Sequence, residues 1–337
     1  MSNTLIPVLV FGLPGIAFLI AALGYIAYRS MVLIPAKAED FIIAWGRERG
    51  DISDEDLGLP WIAERVPSPQ GYELAVHALE GEGGKLVLLQ HGITWSWLAM
   101  MRYVRAFRAE GWTVVLVDSR GHGDTTGGRP SYGWYERHDL KAVADWALSR
   151  FPHSEGFVAL GVSMGAASVL QYAPLDQRLD AVIADCPFTS AASELDHRLK
   201  RTMMPFFARP AVVRIADALC RRQEGFSLYD ASPERAMLET NAPILFVHGL
   251  DDDYVPWKMS VIMAETRRRR LPAASTELRL VPDAKHARSM AVDPEGYVRA
   301  LREFFAQALG RGPERPGAPV GGRRETEGEP VQGEKNR

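Results

Sequence analysis

Apolar residues arrive in three rhythms along the chain. From Leu5 to Tyr28 they are nearly continuous, and no charged side chain occurs from Met1 to Tyr28. From Trp61 onward, short apolar runs alternate with stretches whose apolar positions recur every three or four residues. From Gly310 to the C-terminus apolar positions thin out, and Gly, Pro and charge take over.

The middle region sets the fold. Trp61–Val66 and Tyr72–Leu79 read as strands joined by the turn Pro67-Ser-Pro-Gln-Gly71. Lys85–Gln90, Thr113–Val117, Phe157–Leu160, Ala181–Asp185, Pro243–Val247 and Glu277–Val281 read as buried strands. Ser96–Ala109, Glu136–Arg150 and Pro294–Leu309 carry helical spacing. Strands that are mostly apolar and alternate with helices predict an α/β fold, a mostly parallel sheet covered by helices on both faces. Ligands of such sheets bind beyond the carboxyl ends of the strands. The alternation lapses at 186–241, which is expected to be a helical cap inserted over that edge of the 61–309 domain. The tail, 310–337, cannot bury a core and is expected to be disordered.

The N-terminal run divides the first sixty residues. Leu5–Tyr28 comprises 24 residues and as a helix would span roughly 36 Å, enough for a hydrocarbon core. Residues 1–30 are therefore expected to be a single-pass transmembrane anchor, with Tyr25, Tyr28 and Arg29 at the interface. A cleaved signal peptide fits less well, because no Lys or Arg precedes the run and no small-residue cleavage site follows it. Arg29, Lys37, Arg47 and Arg49 follow the run, which by the positive-inside rule puts the rest of the chain in the cytoplasm. Residues 31–60 are a juxtamembrane connector with a helical stretch at Ala36–Arg49. Its acidic loop, Asp51–Asp56, is read as solvated surface.

Composition narrows the classes. A net charge of -3 argues against nucleic acid as a main partner. Cys186 and Cys220 make neither a disulfide framework nor a zinc site and are expected as buried free thiols.

The chemistry gathers at Gly161-Val-Ser163-Met-Gly165, between an apolar run and a helical one. Glycines on both sides permit a tight strand-to-helix turn that lifts Ser163 above the sheet edge, toward a helix N-terminus. A serine hydroxyl needs a base and a group that orients the base. Both should follow later strands, in the order Ser, acid, His. His286 follows the last strand, and Asp251, Asp252 and Asp253 follow the one before it. The backbone amides of Met164 and Ile93 are the expected oxyanion donors. His91 is expected to shape the Ile93 loop. Asp118, His122 and Asp124 are too poorly spaced for a metal site. Ser168 and the set Trp95, Trp97 and Tyr103 are read as packing residues. Arg267–Arg270 is read as a solvated helix face, with contact to anionic lipid as its other reading.

Gly161–Gly165, His91-Gly92, Asp118-Ser-Arg-Gly-His-Gly123, His248-Gly-Leu-Asp-Asp-Asp-Tyr-Val-Pro256 and Ala284-Lys-His286, in that setting, resemble the α/β-hydrolases. His91-Gly-Ile-Thr-Trp95 and Ser131–Asp139 are similar to membrane-anchored serine hydrolases of the prolyl-oligopeptidase-like branch. The resemblance selects Asp252 as the acid and implies acyl transfer to water by Ser163, His286 and Asp252, with Ile93 and Met164 as the oxyanion hole. Neither metal nor organic cofactor is implied. The expected substrate is a small-molecule or lipid-like carboxylic ester. A peptidase, amidase or thioesterase with the same triad is the alternative within enzymes, and a non-catalytic, membrane-tethered binding protein is the alternative outside them.

Overall fold

A computed structural model of the chain describes residues 13–125, 127–151 and 155–310. The start of the expected anchor and the expected disordered tail from 311 lie outside these residues. Eight strands form one sheet in the order β1-β2-β4-β3-β5-β6-β7-β8. They are β1 Ile62–Pro67, β2 Glu73–Leu79, β3 Lys85–Gln90, β4 Thr113–Val117, β5 Gly156–Val162, β6 Ala181–Asp185, β7 Ile244–Gly249 and β8 Thr276–Val281. β2 runs antiparallel to β1 and β4, and the pairs from β4 through β8 are all parallel.

Alternate residues of each central strand enter opposite layers, as the two-residue repeat of a strand requires. One layer takes Val87, Leu89, Val158, Leu160 and Ile183. It packs them under α4 (Met101–Arg108) and α12 (Pro294–Gly310). The other takes Leu86, Leu88, Phe157, Ala159 and Val182. Its cover is α5 (Glu136–Arg150), α6 (Met164–Tyr172) and α10 (Lys258–Arg270). The helix expected over Ser96–Ala109 begins as a 3-10 turn, Trp97–Met100, before α4 takes over.

A third apolar cluster lies outside the sheet. Helix α1, Leu13–Val32, buries Ala27, Tyr28, Met31 and Val32 against α7 (Ala191–Arg201) and α8 (Arg209–Gln223). These two helices and the short α9 (Pro233–Ala236) connect β6 to β7. Helix α1 is long and apolar enough to cross a membrane, by length and composition.

Three expectations change here. Tyr28 is no interfacial residue: it is buried, and its hydroxyl donates to Gln223 Oε1 (3.1 Å) and Glu224 Oε1 (2.6 Å). Arg267 is not solvated: it is fully buried in α10 and donates to the carbonyl oxygens of Met237, Thr240, Ala242 and Ser275. Four arginines in a row look alike, but α10 turns the first of them inward, where its fork serves as a cross-brace. The acidic loop is likewise not all surface. Asp56 is buried, closes a capping box with Ser53 and pairs with Arg105 at 2.7 Å. Asp51 is buried and pairs with Arg102 and with Arg288 (2.6 Å). Both cysteines are free and buried, as expected.

Candidate active site

Ser163 sits at the apex of the β5–α6 turn with φ +57° and ψ −115°, a conformation that L-residues with side chains rarely adopt. The surrounding backbone holds it there. Its amide donates to the Asp185 carbonyl at 2.8 Å, and its own carbonyl accepts the Ala167 amide at 3.0 Å. A Cβ on Gly161 would overlap the Gly165 carbonyl, and one on Gly165 would overlap the Gln90 carbonyl. The flanking glycines are thus required by close backbone approach.

Three expected side chains meet at this turn. His286 Nε2 lies 2.9 Å from Ser163 Oγ, and His286 Nδ1 lies 2.7 Å from Asp252 Oδ2. Asp251 and Asp253 make no side-chain hydrogen bond to His286 and are exposed. Asp252 is buried and accepts from four donors. Oδ1 takes the amides of Tyr254 (2.9 Å) and Val255 (2.8 Å). Oδ2 takes His286 and, at 3.1 Å, His248 Nε2. Burial opposes ionisation of this carboxyl, but hydrogen bonds from His248 and His286 outweigh it and hold the group well below the carboxylate range.

His248 is a residue that sequence reasoning quoted without giving it a role. Its Nε2 donates to Asp252 and to the Val255 carbonyl (3.0 Å), and its Nδ1 accepts from Ser260 Oγ at 2.7 Å. The signal was available: a histidine at the end of a fully buried strand, four residues before the acid.

Ile93 and Met164 flank the serine. Ile93 lines the cavity over Ser163, and Met164 opens α6. Neither amide donates to an acceptor among the described residues, so both are free for a ligand oxygen. The Ile93 loop passes close to the serine: a Cβ on Gly92 would stand 3.5 Å from Ser163 Cβ, in ordinary contact. His91 shapes this loop from below, taking the Ser119 amide on Nε2 (2.9 Å) and facing the Gly92 carbonyl with Nδ1 (2.7 Å). Asp118 accepts the amides of Trp97 (2.8 Å) and Asp124 (3.0 Å), and His122 Nε2 accepts the Thr94 amide at 2.9 Å. Ser168 is buried and bonds the Met164 carbonyl at 2.8 Å.

The cavity above Ser163 holds about 500 Å³. Much of its wall is connector: Ile34, Lys37, Ile42, Trp45, Asp51 and Ile52. The Lys37 amide donates to the Thr94 carbonyl at 2.8 Å, and its ammonium lies 3.7 Å over Trp95, which packs on Trp45. Trp95 therefore lines the cavity as well as packing. From α7 the wall takes Arg198, and beyond β7 it takes Tyr254.

Among the described residues, Cys186, Asp252 and His286 have ligand atoms within 4.8 Å of one another. They do not fit a metal. Asp252 and His286 Nδ1 already satisfy each other, and burial raises the Cys186 thiol well above its ordinary range.

Comparisons agree with this architecture. The family described as serine aminopeptidase, S33, matches residues 81–237. An uncharacterized protein of Bacillus subtilis (strain 168), YqkD, is 28% identical over 292 residues, 85% of this chain and 93% of that one. The Pyrococcus furiosus esterase Pf2001 superposes with a TM-score of 0.62 at 22% identity, over 77% of this chain and 96% of the esterase. The Pyrococcus horikoshii acylaminoacyl peptidase gives 0.54 at 16% identity, over 75% of this chain and 42% of the peptidase.

Proposed function

We propose that this chain, which has the α/β-hydrolase fold, is a serine hydrolase cleaving carboxylic esters, held at a membrane by α1. The relay Ser163 Oγ, His286, Asp252, with separations of 2.9 and 2.7 Å, carries this reading. His286 Nε2 takes the Oγ proton as Ser163 bonds to the ester carbonyl carbon. The resulting oxyanion is met by the Ile93 and Met164 amides. Collapse breaks the bond to the alcohol oxygen, which leaves with the proton from His286. Water, deprotonated by the same nitrogen, then releases the acid from Ser163. Asp252, ionised and anchored by backbone amides, keeps Nδ1 protonated and stabilises the imidazolium.

The cavity wall supports an ester over the N-terminus of a peptide. It carries four cations, Lys37, Arg102, Arg198 and Arg288, against one carboxylate, Asp51. An aminopeptidase site must attract an α-ammonium group, and this wall repels one. The remaining wall is largely aliphatic and indole, which suits an acyl chain.

A fluorophosphonate probe is expected to label the full chain and not Ser163→Ala. No labelling of the wild type, or equal labelling of both, would sink the serine hydrolase reading. p-Nitrophenyl esters of graded length, assayed beside peptide amides, should show turnover on the esters and little on the amides; the reverse preference would make it an amidase.

A further inference from the structure

A second cavity, of about 530 Å³, lies between α1 and α7. Leu23, Ile26 and Ala27 form one wall; Leu195, Leu199 and Met204 form the other. Two residues wall both this groove and the Ser163 cavity, Arg198 and Tyr254. The Tyr254 ring packs on His286 at 4.9 Å, so the partition is one side chain thick and adjoins the relay. Arg198 is loosely held. It reaches the Ser30 carbonyl at 3.5 Å and Met31 Sδ at 3.4 Å, and has no salt bridge among the described residues. Glu194, one turn back on α7, is buried with both carboxylate oxygens lacking a hydrogen bond, so the two do not clamp each other.

The groove's surroundings are apolar and uncovered. Helix α1 exposes Ile16, Phe18, Leu19 and Ile26. The loop before α8 exposes Met203 (90%), Phe206 (76%) and Phe207 (73%). Ile215 abuts Gly24, and Gln223 meets Tyr28, so α1 and α8 run in the same direction. The phenylalanine pair therefore lies toward the N-terminal end of α1, beside its exposed apolar residues. Side chains of this size exposed together mark a lipid or protein contact. Their place beside a helix of membrane-spanning length favours lipid.

We propose that the groove is a lateral entrance for an acyl chain: the substrate is an ester of a long-chain amphiphile, drawn from the membrane between α1 and α7 into the Ser163 cavity. This rests on the esterase reading and names its substrate class. A long acyl chain that crossed water to reach Ser163 would expose its apolar surface along the whole way, at a cost that grows with every methylene. A groove that opens beside α1 and is parted from the cavity by Tyr254 and the loosely held Arg198 would avoid most of that cost once those two side chains swing aside.

The test uses the full chain in phosphatidylcholine vesicles with two substrates that share a leaving group, bilayer-dissolved methylumbelliferyl oleate and aqueous methylumbelliferyl acetate. Ile26→Trp and Thr202→Trp narrow the mouth from opposite walls at exposed positions. Each is expected to lower the oleate-to-acetate turnover ratio by about tenfold, the scale on which apolar fit discriminates. Phe206→Ser with Phe207→Ser should lower the same ratio in vesicles and leave it unchanged when the oleate ester is supplied in cyclodextrin. An unchanged ratio in the tryptophan variants overturns the entrance. So does a change in oligomeric mass with the ratio preserved, which would give the groove to a second copy of the chain. Wild type that cleaves neither ester refutes the esterase reading instead, a distinguishable outcome.

Discussion

Two histidine–aspartate clusters stand at the carboxyl edge of the same sheet. His91, Asp118 and His122 follow β3 and β4; His248, Asp252 and His286 end β7 or follow β7 and β8. Both are largely buried and set imidazole near carboxylate, at 3.8 Å for His91 and Asp118 and at hydrogen-bond distance for His248 and His286 with Asp252. They differ in where the last nitrogen goes. In the first cluster the hydrogen bonds go to backbone: Ser119 and Thr94 amides to the imidazoles, Trp97 and Asp124 amides to the carboxylate. Burial lowers both of those histidines to about 4, so they stay neutral. In the second cluster His248 and the backbone satisfy Asp252, and His286 Nε2 is left facing Ser163. Residue type does not distinguish the two clusters; the partner of one nitrogen does.

Variants can break that contrast, beginning with the largest effect. Ser163→Ala should cost about 10⁴-fold or more in kcat, since the proposed mechanism has no other nucleophile. Residual ester turnover near wild type would assign the chemistry elsewhere. Asp252→Asn should cost about 10³- to 10⁴-fold, because an amide cannot hold the imidazole in the required tautomer. Asp251→Asn and Asp253→Asn should leave steady-state rates near wild type, and the opposite ranking would place the wrong carboxylate beside His286.

The first cluster should answer in stability. His122→Leu removes the acceptor of the Thr94 amide and should cost about 1–3 kcal/mol by urea titration, with a smaller effect on kcat than either Ser163→Ala or Asp252→Asn. Its pH signature follows from the lowered pKa. The unfolded chain protonates this imidazole from its ordinary 6.5, the folded chain only near 4, so stability is lost as pH falls through that window. The variant should lose less stability there; an unaltered acid limb would show that His122 is not held neutral.

The smallest effect is expected at Glu194, which lies near the relay without joining it. Burial raises its carboxyl from 4.5 to about 7. Here the folded chain keeps a proton that the unfolded chain releases, so stability falls as pH rises from about 4.5 to 7, by at most about 3 kcal/mol. Glu194→Gln should flatten that slope and be the more stable protein at pH 8, with kcat within a few-fold of wild type. A variant less stable than wild type at pH 8 would mean that the carboxylate has a partner in solution.

Much of this could be read from the sequence, for identifiable reasons. Central strands such as Lys85–Gln90 and Thr113–Val117 are apolar on both faces and bounded by turn residues, so their limits are local. Ser163, Asp252 and His286 follow strands in a fixed order, so the sheet brings them together over 123 and 34 residues of separation. What stayed illegible depends on packing between distant segments. Asp51 reads as one acid in an acidic run, yet it meets Arg102 and Arg288 at the cavity wall. Arg267 reads as one of four arginines until the rotation of α10 is known. Tyr28 reads as an interface residue until α8 covers it.

The pairing of Asp51 with Arg288 has a consequence for proteolysis. Arg288 lies two residues past His286, and Arg102 also donates to the Ala287 carbonyl at 3.2 Å. The connector is therefore a strut of the histidine loop as well as a tether. Cleavage between residues 38 and 60 that let the upstream piece go would free the domain from α1 and remove Lys37 from the cavity wall, and a cut beyond Asp51 would remove the brace as well. On the proposed reading of α1 as an anchor and Ser163 as the nucleophile, shedding from the membrane and silencing of hydrolysis would then be a single event.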